Sequence, residues 1–431
     1  MRKPVFRLPR IKNRRRAAGW AQNIIILVLV VSAVVLISGR AGFGSDSQGN
    51  RFQAPAQDGD GGRNYGAAAE PMCVMVTPED GVHSAAMYDS RTLETYYTMY
   101  SSSLAEALGS AGEPEEVSDS QWRSALSGTG VYFDYYTDCQ LSSLAIWLGA
   151  DGMSSSASLH TARRLCLSLE DGEVVLYYMR ERMGTAYRCS TDLSYTELAG
   201  RISGVSPNGA HFAFELEDIP DVDDCTVIVE GVIDVHTISG TNTLGSIRAD
   251  ELMDAFGINS NLAQGYYEAD GTSVFLEGMV TLRLGTNGEL RFTNRTEAEP
   301  DGTELSPSDA VELTRRLLER TVGLENGVAA LRLSYISYER STREYTLRYD
   351  YAIDGLPVSL QGRECAAEFR LTGGTMTYAD ILFRSYSYTG GTERPLPAVL
   401  NAAAVQADGG GEPRLVYIDS YSAVSAKWII V

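Results

Sequence analysis

Four histidines, His83, His160, His211 and His236, are the side chains of this sequence that titrate near neutral pH and so are the first candidates for general-base or zinc chemistry. None stands in the His-Glu-x-x-His spacing that brings two ring nitrogens onto one helical face. Each therefore reads as a surface histidine or a hydrogen-bonded core histidine. Past the first 19 residues the only lysine is Lys427, and no Ser-x-x-Lys occurs, which removes penicillin-binding and β-lactamase chemistry on inventory alone. A Gly-x-Ser-x-Gly elbow is also absent. A Ser-His-Asp triad gathered from distant segments is defined by geometry, not by order, and stays open. Six cysteines, Cys73, Cys139, Cys166, Cys189, Cys225 and Cys365, contain no Cys-x-x-Cys, so zinc and thioredoxin-like sites are not expected. Outside the membrane an even number of cysteines suggests disulfides, of which six permit about 15 pairings, but a chain of this size can build a core without staples and the reading leans to mostly buried free thiols. The acidic run Asp218, Asp221, Asp223 and Asp224 lacks the glycine and glutamate positions of a calcium loop and reads as a solvated turn. No catalytic residue, metal or cofactor is expected.

An apolar run, Ile24 to Ile37, lies within a segment from Trp20 to Ala41 that approaches the roughly 20 residues needed to cross a hydrocarbon core of about 30 Å. Eight basic residues (Arg2, Lys3, Arg7, Arg10, Lys12, Arg14, Arg15, Arg16) precede it and Arg40 alone follows closely, which puts the amino terminus in the cytoplasm and the bulk outside the cell membrane. A cleaved signal peptide is the rival reading, but the exit Leu36-Ile-Ser-Gly-Arg40-Ala carries an arginine where cleavage prefers a small residue. Ser32, Ala33, Ser38 and Gly39 are the small residues through which such a helix would pack against another in the membrane. The tail to Gly19 holds eight positive charges of a chain whose total is −20, leaving −28 for the remainder. So acidic an exterior repels nucleic acid, while the tail suits anionic lipid headgroups at about 1 kcal/mol per charge.

Residues 42–68 are rich in Gly, Ser and Asp and poor in large aliphatics, the composition of a flexible linker. Beyond them the text is α+β: a single amino-terminal transmembrane helix and stalk carry a multi-lobed extracytoplasmic region of antiparallel sheets with covering helices. Leu93, Tyr96, Tyr97, Tyr100, Leu104 and Leu108 share one helical face ahead of Gly109. Ser118-x-x-Gln121 is a capping box, and Asp171-Gly172 joins two apolar runs as a hairpin. A short helix is expected near Thr191 to Leu198. The expected divisions are a tail (1–19), an anchor (20–41), a linker (42–68), an amino-terminal α+β lobe (69–160), a β-rich middle lobe (161–245) and two repeat units (246–300 and 301–431). The two units share a helix, an Asp-Gly turn (Asp270-Gly271, Asp354-Gly355), a glycine seven residues on (Gly278, Gly362) and a further turn (Asn287-Gly288, Gly373-Gly374). That pattern reads as a duplicated helix-plus-hairpins unit.

The helix from Tyr96 to Leu108, the passages Gln121-Trp122-Arg-Ser-Ala-Leu126 and Val131-Tyr-Phe-Asp134, and later Ala255-Phe-Gly-Ile258 and Asp354-Gly-Leu-Pro-Val358 resemble the membrane-anchored YycH and YycI regulatory proteins. The first passages look like YycH, the latter half like the module YycH and YycI share, and the likeness spans nearly the whole chain. The 19-residue basic tail departs from the family by its length. The resemblance implies a non-catalytic regulator of an essential two-component sensor histidine kinase controlling the Gram-positive cell wall. Its partners would be that kinase and a sister YycI/YycH-like membrane protein. Two other readings stay open, an extracytoplasmic cell-envelope hydrolase with a dispersed site and a stalked ligand-binding module.

Overall fold

The computed structural model describes residues 70–217, 222–296, 305–398, 400–401 and 410–431. The tail, the anchor with Ser32, Ala33, Ser38 and Gly39, and the linker lie outside the described residues. Among the described residues no helix is long and apolar enough to cross a membrane.

The first sheet has seven antiparallel strands: β1 (Cys73–Thr77), β2 (Ser84–Ala86), β3 (Glu115–Val117), β4 (Gly130–Gln140), β5 (Thr161–Glu170), β6 (Glu173–Arg180) and β7 (Thr185–Ser190), in the order β2-β1-β4-β5-β6-β7-β3. The Asp171-Gly172 turn closes the β5–β6 hairpin, with Glu170 opposite Glu173. Both faces of this sheet are buried. Val74, Val131, Phe133, Leu165, Leu167 and Tyr178 point into one core, and Met75, Tyr132, Cys166 and Tyr177 into a second. Two-sided burial makes these strands nearly continuous apolar runs.

Helix α1 (Ser90–Ser110), whose Asp89 cap accepts from the Thr92 N–H, lays Leu93, Tyr100, Leu104 and Leu108 into the first core. Helix α2 (Asp119–Ser127) carries the capping box at Ser118 and Gln121 and covers the other face with Trp122, Ala125 and Leu126. Helices α3 (Leu141–Trp147) and α4 (Tyr195–Ile202) complete this half. The α4 helix starts later than expected because Ser194, not a residue near Thr191, accepts from the Glu197 N–H as the cap. An expected lobe boundary at residue 160 falls inside this sheet, since β4 and β5 pair from Gly130↔Ser168 to Gln140↔Thr161. A ladder of backbone hydrogen bonds makes those residues one layer.

A hairpin of β8 (Ala210–Phe212) and β9 (Val227–Val229) follows, then β10 (Val235–Asn242). Helix α5 (Ala249–Ala255) leads into the meander β11 (Gln264–Tyr267), β12 (Ser273–Glu277), β13 (Val280–Leu284) and β14 (Glu289–Asn294). Helix α6 (Pro307–Arg320), capped by Ser306, leads into β15 (Ala330–Glu339), β16 (Glu344–Ile353), β17 (Leu356–Leu360), β18 (Ala367–Thr372) and β19 (Thr375–Leu382). Strands β20 (Arg384–Glu393), β21 (Pro413–Asp419) and β22 (Val424–Ile430) end the chain. Eleven of them form one sheet in the order β11-β12-β13-β14-β19-β18-β16-β17-β21-β22, with β15 beside β16; β20 pairs with β10 instead.

The two helices cover the inner face of the large sheet. Phe256 stacks on Phe292 with centroids 4.8 Å apart, and the Thr314 hydroxyl lies 2.7 Å from the Tyr349 hydroxyl. The Asp270-Gly271 turn follows the first strand after α5, β11, whereas the Asp354-Gly355 turn follows the second strand after α6, β16. Strand β14 pairs antiparallel with β19, and β17 pairs in parallel with β21.

Candidate interaction surface

Each histidine has a partner. His83, 3 % exposed, sets Nδ1 2.8 Å from the Thr77 hydroxyl and Nε2 3.0 Å from Glu215. Burial pushes the Glu215 carboxyl up, but the His83 hydrogen bond, the Phe212 N–H and the Ser127 hydroxyl outweigh it and leave the pKa lowered. His160 lies 2.7 Å from the Tyr178 hydroxyl, and burial followed by Arg180 lowers its pKa. His211 faces Glu230 at 3.7 Å. His236 places Nδ1 2.9 Å from Asp354, which also accepts from the Tyr388 hydroxyl at 2.8 Å. This His-Asp pair supplies two of the three members of a hydrolytic triad. Among the described residues no hydroxyl or thiol hydrogen-bonds its Nε2, so the nucleophile that would complete it is not brought there.

The six cysteines are buried and unpaired. Burial pushes the thiols of Cys139, Cys225 and Cys365 up to about 12 and that of Cys189 to about 11. Thiols held protonated in apolar surroundings are poor nucleophiles. Among the described residues no group of three or more His, Cys, Asp or Glu is arranged to hold a metal. Of the acidic run, Asp223 pairs with Arg164 at 2.9 Å and Asp224 with Arg123, so these two are ion-pair partners within the fold; Asp218 and Asp221 lie outside the described residues.

The two sheets meet at a buried charge cluster. Arg163 and Arg164 of β5 both donate to Glu412, at 2.8 and 3.1 Å, and Arg414 joins them at 2.8 Å. Asp134 of β4 lies 2.9 Å from Arg163, and Glu181 lies 3.3 Å from Arg164. Burial pushes Asp134 up against the pull of its arginines, whereas at Glu412 the opposing burial is outweighed by Arg414, Arg163 and Arg164, which hold it at about 2. The adjoining cavity, lined by Cys73, Tyr88, Asp134, Glu412 and Arg414, measures about 40 Å³, room for a few waters and no substrate.

Glu181 yields a pH expectation. Burial, opposed by Arg164, pushes its carboxyl from 4.5 up to about 7. A folded-state pKa above the unfolded one contributes stability that is fully present below about pH 4.5 and fades as pH rises through about 7. Denaturant midpoints at pH 5 and pH 8 are expected to fall more for the wild type than for Glu181→Gln; an equal fall in both would show that Glu181 does not titrate there.

One group of exposed apolar side chains lies at the free end of the large sheet. All four residues of β11 are exposed, Tyr267 at 80 %, and Leu262, Tyr266 and Met279 stand out beside it. On the outer face of the sheet, Arg283, Arg291, Asp380, Glu368, Arg348 and Tyr335 oppose one another in register across six strands. Arg283 and Arg291 face each other as like charges, which is tolerated because Glu268 takes the first and Asp380, at 2.9 Å, the second. Between them and the sheet edge is a concavity of about 440 Å³, lined by Tyr266, Leu276, Met279, Arg283, Arg291 and Arg295 with Thr281 and Thr293, and by no carboxylate. An uncharged Tyr-Tyr strand followed by Thr-x-Arg and Arg-x-Thr was its sequence signal, but only the register shows that these residues share a face.

No family model matches the chain, and no curated protein matches it. Among solved structures the chain is similar to the crystal structure of YycH from Bacillus subtilis, with a TM-score of 0.56 and 9% sequence identity, over 84% of this chain and 95% of that chain. At such identity the likeness shows the fold alone, a YycH-like α+β arrangement of antiparallel sheets with few helices.

Proposed function

We propose that a chain folded like YycH over nearly all of that protein's length is a non-catalytic, membrane-anchored regulator of a two-component sensor histidine kinase controlling cell-wall homeostasis. The observation that carries the reading is the backbone likeness to YycH over 84% of this chain and 95% of that one. It is supported by histidines that all have partners within the fold and by thiols held protonated. In this reading the segment 20–41 anchors the chain and packs through Ser32, Ala33, Ser38 and Gly39 against the kinase's membrane helices. The acidic lobes lie outside the cell and contact the kinase or a sister YycI-like protein, and the basic tail rests on cytoplasmic lipid. The two helix-plus-hairpins segments are read as a duplication. Differential contacts worth 1 to 3 kcal/mol between kinase states change its output by about 5- to 150-fold, so no chemistry is required of the regulator.

The test is crosslinking in intact cells of the tagged full chain, followed by co-purification. Recovery of a histidine kinase together with a YycI-like protein is expected; recovery of neither would end the proposal.

A further inference from the structure

We propose that β11 is an open strand-addition edge whose occupant is an extended, acidic segment of a different polypeptide. The inference rests on the reading that this protein works by binding other proteins, and it names where and what. Strand β11 begins the order of the large sheet and pairs on one side only, with β12. Proteins blunt such edges with charges, proline, bulges or very short strands. Gln264-Gly-Tyr-Tyr267 is short but carries no charge, proline or bulge, and the whole strand is exposed. The opposite end is treated differently: on β22 the Ala426 N–H donates to Glu393 at 2.6 Å and Trp428 Nε1 donates to the Leu396 carbonyl at 2.8 Å. A side chain takes one backbone donor of β22, whereas every residue of β11 is exposed.

Charge selects the occupant. In a chain of net −20 the concavity beside β11 is lined by three guanidinium groups and no carboxylate; Glu268 and Asp380 pair with Arg283 and Arg291 from outside it, which leaves Arg295 for an incoming acid. Among the described residues Arg295 has no ion pair. A segment laid along β11 would form backbone hydrogen bonds with the strand and set alternate side chains over Tyr266 and Leu276 toward Arg283 and Arg295, the mode in which main-chain bonds give affinity and side-chain positions give specificity. Four residues of strand offer about 13 Å of ladder. A second copy of this chain is disfavoured, because edge-to-edge pairing would bring two arginine sets together. Nucleic acid is disfavoured because it has no peptide backbone to pair with the bare edge of β11.

The test uses the detergent-solubilised full chain and three fluorescent decapeptides: alternating Val and Glu, alternating Val and Lys, and the Val-Glu peptide N-methylated at every second residue. Anisotropy at low salt is expected to show the Val-Glu peptide binding at least about tenfold more tightly than the other two. An Arg283→Glu, Arg295→Glu double variant with an unchanged thermal midpoint is expected to lose that preference. Equal binding of acidic and basic peptides, equal binding of the N-methylated peptide, or no binding of the Val-Glu peptide overturns the proposal. In the cell crosslinking described above, a kinase recovered equally by wild type and by the double variant sinks the β11 site and leaves the regulator standing. No kinase recovered by the wild type sinks the regulator itself.

Discussion

Glu412→Ala is expected to lower the unfolding free energy by about 3–5 kcal/mol and to split one denaturant transition into two, because it strips the junction of a buried charge that three arginines share. The carboxylate accepts from Arg163, Arg164 and Arg414, and its removal leaves three guanidinium groups to Asp134, Asp223 and Glu181. Arg163 and Arg164 belong to the seven-stranded sheet, while Glu412 leads into β21 of the large one, so the loss falls on the contact that makes the two unfold together. The pH dependence has a definite sign. A carboxyl held at about 2 in the fold contributes stability that is present above about pH 4.5 and lost as pH falls through about 2. Asp134, pushed up by burial, acts in the opposite direction over the acid range. Acid titration of Glu412→Gln is therefore expected to be flatter than that of the wild type, or even reversed. A single transition at wild-type midpoint in Glu412→Ala would show that the cluster does not hold the sheets together.

Asp419→Ala is expected to cost a similar 3–5 kcal/mol. The carboxylate is fully buried and accepts from Arg384 Nε at 2.8 Å, from its Nη2 at 2.9 Å and from the Tyr386 hydroxyl at 2.8 Å. The Arg384 guanidinium also lies over the rings of Tyr386 and Tyr421. Deleting Asp419 strands that cation in the interior, whereas the double change Arg384→Met, Asp419→Leu fills the same space with apolar atoms and is expected to recover most of the loss. The exposed pair Arg123 and Asp224 sets the contrast, since surface ion pairs contribute about 0–1 kcal/mol. Guanidinium denaturation of the single, double and surface variants checks the ranking; a loss at Asp419 no larger than at Asp224 would contradict it.

Local signals were legible in the sequence wherever a short stretch decides its own structure. The Ser118 and Gln121 capping box, the Asp171-Gly172 hairpin and the Ser306-Pro307 helix start all form within a few residues of chain. Long-range pairing was not legible. Strand β10 meets β20 some 150 residues later, and β17 turns away from β18 to join β21, choices that no local periodicity encodes. The expected boundary at residue 160 failed for the same reason, since Asp134 and Arg164 sit opposite each other in one ladder. Four histidines identified as the chemical suspects proved to have partners inside the fold, and the β11 edge became visible only when the registers of β11 with β12 and of β13 with β14 were known. Low identity with a shared fold is consistent with this, because hydrophobic pattern and turn chemistry specify layers while tolerating almost any particular side chain.

Autophosphorylation of the cognate sensor kinase, measured in proteoliposomes with and without the full chain inserted in the same bilayer, tests the regulator account most directly. A change of about 5-fold or more in kinase activity, lost when residues 1–41 are replaced by an unrelated membrane anchor or when the lobes beyond residue 69 are removed, is the expected result. Identical kinase activity at saturating amounts of the chain would contradict it.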